Sequence, residues 1–507
     1  MVNHLFVMLG WLYTIVAVWL SIYSANALIL ALLYWVIRFH HRTDHKSPLI
    51  NPGHWPVVTL QFPIYNERLV ARRLIDAAAR LDYPVDCLHI QVLDDSTDDT
   101  TKLVAEGVEY WTNRGKWITV HHRINRSDYK AGALKEGLKS AAGEFVAIFD
   151  ADFIPPRDWL KQAIQPFFGP ECERVGIVQT RWAHLNDDYS ALTLGEALGL
   201  DGHFGVDQIV RSSAGLLSSF DGTAGIWRRR CIEDAGNWRG ASLAEDLDLS
   251  YRAQLCGWKV RYLPDVSAPA EIPTMMIGFK CQQFRWAKGS IQVARLLGLK
   301  VLRAPIKPWL KLEGILHITG YMVSPLMLML LLMTLPLSLW GGDVMRRLPL
   351  GWSGIVGLGP PFFYVTSQWA LYGRKQWWRW FRRMPLLAML GIGIAVSNTR
   401  GVIEGLIGKK SAFERTPKTG VTRDNNIRPN KIDEQIKADP TSWAELFLCV
   451  YALATSILAI HQGNWVGTIF YCLYAAGFAW VGFATLLETR PPTPSGTKPG
   501  VVSTNVE

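Results

Sequence analysis

Cysteine is scarce and scattered in this chain: seven residues, at positions 87, 172, 231, 256, 281, 449 and 472, with no CxxC pair. That pattern excludes a disulfide scaffold and a thiolate zinc site, and it fits a reducing, cytosolic face. Charge is missing altogether from one stretch. Between Met1 and Ile37 there is no Asp, Glu, Lys or Arg, a run exceeding the roughly 20 apolar residues that a bilayer core requires. The same stretch lacks a basic leader and a small-residue cleavage site, which argues against a removable secretion signal. An uncleaved membrane helix is therefore expected over residues 13–37, preceded by an interfacial segment. The basic "RFHHRTDHK" behind it places the next domain in the cytoplasm.

What is plentiful is apolar and aromatic. The chain has 507 residues, 22 of them Trp, with a net charge of +10, enough for two or three domains. The positive charge sits at the edges of apolar runs rather than on one soluble face, so a lipid bilayer is the expected partner and nucleic acid is not. After the first helix (residues 1–40), residues 50–300 read as soluble α/β. Short apolar runs ("VVTLQF", "HIQVLD", "FVAIFD") alternate with amphipathic stretches at 68–81 and 130–142, the pattern of a mostly parallel sheet.

Apolar spans follow at 314–340, 353–372, 385–407, 443–461 and 465–487. Residues 301–372 read as an interfacial segment and a transmembrane pair, 373–441 as a cytosolic or interfacial segment, 442–488 as a second pair, and 489–507 as a disordered Pro/Gly/Ser/Thr-rich tail. "YGRKQWWRWFRRMP" and the basic residues between Lys409 and Lys437 both belong inside. A crossing by 385–407 would put the second group outside, and that stretch carries Asn398, Arg400 and Glu404. It is expected to lie at the interface or against the bundle. The count becomes about five spanning helices.

Three acidic clusters punctuate the soluble region. "LDDS" (Asp94, Asp95) and "DAD" (Asp150, Asp152) each end a strand, and "LAEDLDLS" (Glu245, Asp246, Asp248) opens a helix. Ligands of open α/β sheets bind at the carboxyl ends of strands, so the first two clusters should share a crevice. Hard carboxylate oxygens there suit Mg²⁺ or Mn²⁺ on a diphosphate. Singly, the same acids also read as turn and cap chemistry or as complements to a helix dipole. "QQFRWAKGS" adds Arg285, able to fork onto phosphate oxygens, Trp286 as a stacking face and the Gln282 amide. Alone it reads equally as an interfacial amphipathic helix.

The set "QFPIYNE", "QVLDDSTDDTT", "DYKAGALKEGL", "FVAIFDADF", "VQTRW", "DGTAGIWRR", "AEDLDLSYRAQLCGWK" and "QQFRW" resembles the family 2 processive glycosyltransferases. Within them it is similar to the plant cellulose synthase-like A and C proteins and their bacterial relatives, which build mannan and β-glucan backbones. The resemblance covers residues 55 to about 300. It implies an α/β GT-A domain on the cytosolic side of a helical transmembrane bundle. It further implies that Tyr65, Glu67, Asp94, Asp95, Lys130, Asp150, Gln282 and Arg285 hold the nucleotide donor, and that Asp150 and Asp152 bind the metal. Asp246, with Glu245 beside it, matches the general base that deprotonates the acceptor; Ala244 stands where the motif has Thr. Trp286 would stack under the acceptor sugar, with Asp221, Gly222 and Thr223 nearby. "FERTPK" is similar to a gating loop at Phe413, Thr416 and Lys418, and Arg415 replaces a Val of that motif.

The implied activity is inverting polymerisation of a β-linked mannan, glucomannan or β-glucan, from GDP-mannose for type A or UDP-glucose for type C. The growing polysaccharide would pass through the helices, where Tyr321, Trp369 and Tyr372 offer rings, although most such aromatics read as an interfacial belt. The implied location is the plasma membrane in a bacterium or the Golgi in a eukaryote. Two other readings stand beside it: transfer of a single sugar to a lipid acceptor, and a nucleotide-binding transporter or scaffold without catalysis.

Overall fold

The computed structural model describes residues 2–40, 54–168, 172–341, 356–411, 415–416, 418–421 and 439–489. Helix α1 (Val2–His40) is continuous, about 58 Å long at 1.5 Å per residue, and so longer than a ~30 Å hydrocarbon core needs. No separate interfacial segment precedes the expected 13–37 span. The surplus length serves the soluble domain instead: Asn26 donates to Glu313 at 3.4 Å, and Leu30 and Tyr34 pack with Val206 and Val210.

The apolar runs form β1 (Val58–Ile64), β2 (Leu88–Asp94) and β4 (Phe145–Ile148), with β3 (Ile118–His122) between the last two in sequence. β2 and β4 are buried at every position, as strands are when helices cover both faces of a sheet. The intervening helices are α2 (Ala71–Ala79), α3 (Thr100–Thr112) and α4 (Tyr129–Ser140). α2 buries Ala71, Leu74, Ile75 and Ala78, one stripe at helical spacing. In α4, a Cβ on Gly137 would stand 2.7 Å from Leu93 and 2.8 Å from Gln61, so the missing side chain lets the helix sit directly on the sheet.

Strands β5 (Val175–His184), β6 (Gly225–Arg228) and β7 (Lys259–Ala270) complete a seven-stranded sheet of order β3-β2-β1-β4-β6-β5-β7. All pairings are parallel except those of β6, which is antiparallel to both β4 and β5. The chain winds one way from β1 to β2 and the other way to β4, which makes the β1/β4 boundary a topological switch point where a crevice opens. One face of the sheet is covered by a cluster around Phe62, Phe149 and Trp159, the other by one around Leu134, Trp227 and Trp238. Each such side chain stabilises the fold by about 1.5–3 kcal/mol.

Three further helices border the site: α5 (Ala191–Gly202), which runs on through a π turn at His203–Asp207, α6 (Glu245–Leu255) and α7 (Met276–Arg303). Beyond them lie α8 (Val323–Trp340), α9 (Gly359–Phe381), α10 (Met384–Gly393), α11 (Ala395–Ile407), α12 (Thr441–His461) and α13 (Trp465–Glu488). Among the described residues, four helices are long and apolar enough to cross a membrane: His4–His40, Gly320–Trp340, Thr441–His461 and Trp465–Glu488. The bent pair α10 and α11, at 47°, makes a fifth if it is one span.

The span expected at 353–372 is not in that set. Its helix, α9, breaks at Gly373 (φ 70°, ψ −175°) and turns buried Thr366, Ser367 and Gln368 inward. Gln368 donates to Asp201 of α5 at 3.0 Å, and Tyr364 lies against Gly202. Part of its surface thus covers protein. The chain still returns toward the soluble domain: Trp340 meets Phe6 near one end of α1, whereas Gly359 abuts Ser24. In the 385–407 stretch, Leu387 and Leu390 meet Gly199 and Gly195 of α5, and Gly401 and Gly405 meet Ala287 and Ile291 of α7. Both halves thus rest on helices that lead from the α/β domain.

Candidate active site

The carboxyl ends of β1, β2 and β4 open into one cleft of about 200 Å³, lined by Tyr65, Glu67, Asp95, Asp150 and Asp152 among others. Asp150 and Asp152 both reach it, separated by the buried Ala151. Asp94 does not line it. Its fully buried carboxylate accepts from the Ser96 backbone at 2.9 Å and lies 3.0 Å from His122 Nδ1, tying β2 to β3. Asp95 is gripped by Arg123 through Nε at 2.7 Å and Nη2 at 2.6 Å. The same guanidinium donates to the Tyr129 carbonyl at 2.9 Å, which steadies the left-handed entry into α4 at Asp128 and Tyr129 (φ 57° and 46°).

That entry delivers Lys130. Its ammonium donates to Asp150 at 2.6 Å and to the Gly222 carbonyl at 3.0 Å. Asp152, only 3% exposed, accepts from Lys418 at 2.5 Å. Glu67 sits in the same field; burial, then the charge of Asp152, push it up to about 8 against the pull of Lys418 and Arg415. Among the described residues no group of three or more His, Cys, Asp or Glu is arranged to hold a metal ion. Two carboxylates, each already drawing in a cationic ammonium, nevertheless fit a hard cation that takes its remaining oxygens from phosphate and water.

Opposite the strands stands the start of α6. Its N-cap, Ala244, makes no side-chain cap hydrogen bond, so the helix begins without the hydroxyl that a Thr would supply. Asp246 accepts from the Leu247 backbone at 2.7 Å. Burial first, then the neighbouring Glu245, push its carboxyl up to about 8, with Lys130 opposing. Glu245 is raised too, by burial, again against Lys130. A Cβ on Gly222 (φ 81°) would lie 2.7 Å from Asp246 Oδ2, so a glycine is needed for that approach. Thr223 stands behind this wall: it is 1% exposed, and its hydroxyl accepts from the Asp150 backbone at 2.9 Å. It does not line either cavity, whereas Asp221 and Gly222 line the cleft.

Gln282, Arg285 and Trp286 of α7 line the cleft, as do Arg415, Thr416 and Lys418 from the segment after α11. Arg285 donates to the Thr416 hydroxyl at 3.0 Å. Further along the same segment, the Gly420 backbone donates at 3.0 Å to Glu271, which also binds Arg73 at 2.7 Å. Phe413 lies outside the described residues.

A second cavity, of about 500 Å³, shares Trp182, Glu196, Leu200, Asp221, Asp246 and Trp286 with the cleft. It continues past Phe204, Phe279 and Tyr364 to Gly320 and Tyr321, where the Gly320–Trp340 candidate span begins. Of the aromatics considered from sequence, Tyr321 lines this cavity. Tyr372 instead donates to Asp201 at 3.0 Å, and the Trp369 ring lies 5.8 Å from that of Trp35.

Several lining residues carry no signal in the sequence. Arg126 lies 3.2 Å from the centre of the Tyr65 ring, a cation–π contact at the cleft's edge. His203 bridges Asp207 at 3.1 Å and Asp221 at 3.0 Å; burial pulls its imidazole down, but Asp221 and Asp207 outweigh that and hold it at about 10. Glu196, treated below, is a single acid in an apolar stretch.

Residues 56–289 match the family described as glycosyltransferase like family 2. Glucomannan 4-beta-mannosyltransferase 2 of Arabidopsis thaliana is 40% identical over 289 residues, covering 56% of this chain and 54% of that protein. Glucomannan 4-beta-mannosyltransferase 1 of Oryza sativa subsp. japonica is 41% identical over 274 residues, 53% of this chain and 52% of that protein. The chain thus spans about half the length of these relatives. Among solved structures, the mannosyltransferase PcManGT from Pyrobaculum calidifontis, in complex with GDP-Man and Mn2+, superposes with a TM-score of 0.52 at 22% identity. That match covers 78% of this chain and all of that one, and it shows the GT-A fold.

Proposed function

We propose that residues 56–289, which match glycosyltransferase like family 2 and resemble glucomannan 4-beta-mannosyltransferases, are the catalytic domain of a membrane hexosyltransferase polymerising a β-linked mannan or glucan from a nucleotide sugar. One observation carries this reading. Asp150, Asp152, Asp246 and Arg285 line a single cleft whose wall is shared with an aromatic cavity running to the membrane helices. The likeness to glucomannan mannosyltransferases favours GDP-mannose as donor, and the basic segment after α1 favours a cytoplasmic soluble domain.

In this reading Tyr65, Asp95 and Arg126 frame the nucleoside, while Lys130, Arg285 and Lys418 face the diphosphate. Asp150 and Asp152 would hold a divalent cation, in keeping with the Mn2+ bound in the Pyrobaculum structure. When bound it supplies positive charge to the departing diphosphate, which gains negative charge as the glycosidic bond breaks. Lys130, Arg285 and Lys418 act in the same sense, and they act more strongly in the transition state than before it. Asp246 takes the proton of the incoming acceptor hydroxyl. With Asp246 as the one base, a single displacement inverts the anomeric carbon. An α-linked donor yields a β-linked product, and the rings of Trp286 and Tyr321 lead the chain toward the helices.

Incubating membranes that contain the protein with labelled GDP-mannose, UDP-glucose or UDP-N-acetylglucosamine, then digesting the product with linkage-specific hydrolases, tests this proposal. A long β-mannanase-sensitive polymer from GDP-mannose is the expected result; a single sugar on lipid would replace polymerisation by one-step transfer. In sealed vesicles with the soluble domain outward, passage through the helices predicts product protected from added hydrolase. Lys418→Ala tests the docked segment. It removes one ammonium and its hold on Asp152, so the donor KM should rise by about tenfold with product linkage unchanged; an unaltered KM would make the segment a bystander.

A further inference from the structure

Where the two cavities meet, one acid differs from all its neighbours. Glu196, on α5, is 4% exposed, and among the described residues neither carboxylate oxygen has a hydrogen-bond partner. The other acids around it are served: Asp150 by Lys130, Asp152 by Lys418, Glu271 by Arg73 and Asp221 by His203. Across the same junction, the Trp182 indole Nε1 is also buried without a partner. Both side chains line both cavities. Buried polar atoms left unpaired are costly, and groups that bear that cost in the empty protein are suited to a ligand that pairs them. Glu196 cannot easily find a partner by moving its helix, since α5 is wedged against α10 where Gly195 meets Leu390.

The atoms on offer define the ligand. Two carboxylate oxygens and one N–H donor line the same two cavities, which Trp286 and Asp246 also line. A phosphate would be repelled by a carboxylate, and an apolar group would leave all three atoms unpaired. Hydroxyls donate and accept at once, so a polyhydroxylated ring satisfies both sides. We propose that Glu196 and the Trp182 indole read the hydroxyl groups of a hexosyl ring held at this junction, and so set which sugar is transferred or extended. This rests on the hexosyltransferase reading above.

The test uses the full chain in proteoliposomes, with Glu196→Gln and Glu196→Ala. The probes are GDP-mannose, UDP-glucose, their deoxy analogues, and GDP and UDP alone. In the parent protein, deleting the hydroxyl that Glu196 reads should lower kcat/KM by ~10–10²-fold. In Glu196→Ala that penalty should vanish, with turnover of the intact donor reduced by a similar factor, and Glu196→Gln should fall between. Binding of GDP and UDP alone should not change, because neither carries the ring. If donor hydrolysis without acceptor slows in step, the ring is the donor's; if only the KM for an added oligosaccharide rises, it is the acceptor's. The proposal is overturned if both variants match the parent on every donor. It is overturned equally if they lose intact donors, deoxy donors and bare nucleotides alike, as a purely structural role would require. Should Glu196→Ala fail to fold, the near-isosteric Glu196→Gln must still show the split between ring and nucleotide. The underlying reading fails separately, if the parent transfers no hexose at all.

Discussion

Asp246→Asn is expected to lower hexosyl transfer by ~10²–10⁴-fold, the usual share of a positioned base, while nucleotide binding stays intact. The amide keeps the size of the side chain, and its oxygen can still accept from the Leu247 backbone, the 2.7 Å contact that opens α6. What it loses is the ability to take a proton. Calorimetric binding of GDP and UDP, unchanged beside a collapsed rate, would separate this from a folding defect. Transfer that survives at the parent rate would instead remove Asp246 from the chemistry and revive a nucleotide-binding protein without catalysis. The pH profile gives a second handle. Asp246 is held up to about 8 by burial and by Glu245, and a base works only in its deprotonated form. The kcat/KM of the parent should therefore rise with pH and level off near pH 8, well above the range of an ordinary carboxylate. Asp246→Asn should erase that limb, and a limb that persists in the variant belongs to another group.

The acids that converge here could be found in the sequence because each closes a strand or opens a helix, and strand-end chemistry has a fixed address in an open α/β sheet. The local backbone then decides which of them count. Asp150 and Asp152 both reach the cleft from the turn that follows β4, whereas Asp94, the last residue of β2, is spent on His122 and Ser96. "LDDS" and "DAD" do not show which acid is spent in this way. Glu196, Arg126 and His203 were invisible for a different reason. They come from segments whose only claim on the site is tertiary packing, and an isolated Glu among "LTLGEALGL" reads as the polar face of a helix. The antiparallel β6 escaped notice because four residues, Gly225–Arg228, are too few to show a period.

Hydropathy met a comparable limit in the membrane region. A window counts apolar residues without knowing what covers them. α9 carries much of the apolar run expected to span at 353–372, yet it is not among the helices long and apolar enough to cross a membrane; Gln368 pairs with Asp201 and Tyr364 lies on Gly202, so that surface is committed to α5. The 385–407 stretch was legible through its charges instead. Glu404 accepts from Lys288 of α7 at 2.8 Å, and Lys288 is 0% exposed; a carboxylate inside an apolar run signalled a partner in the protein. That pair also joins the helix carrying Arg285 and Trp286 to the start of the segment carrying Thr416 and Lys418.

Asp152→Asn should abolish most metal-stimulated transfer, by ~10²–10³-fold, and do so with the membrane-inserted fold intact. Of three consequences of the one lost charge, two lower the rate and the third offsets part of the loss. The cation site keeps only Asp150, so half-saturation by Mn²⁺ should move to higher concentration. Lys418 loses its 2.5 Å partner and keeps the weaker pull of Glu67 and Asp150 around it, a cost that releases the segment rather than the domain; limited proteolysis should cut near residues 415–421 sooner than in the parent. Glu67, held up to about 8 partly by Asp152, should ionise more readily and return some negative charge to the cleft, which keeps the loss short of total. A double-mutant cycle with Lys418→Ala distinguishes these contributions. If Asp152 acts only through the segment, the pair should cost no more than the worse single change; if it also holds the cation, Asp152→Asn should lower the rate further in the Lys418→Ala background. A variant that transfers sugar at the parent metal concentration would reduce the acid pair to turn and cap chemistry, and one that fails to insert would show that β4 needs the charge to fold.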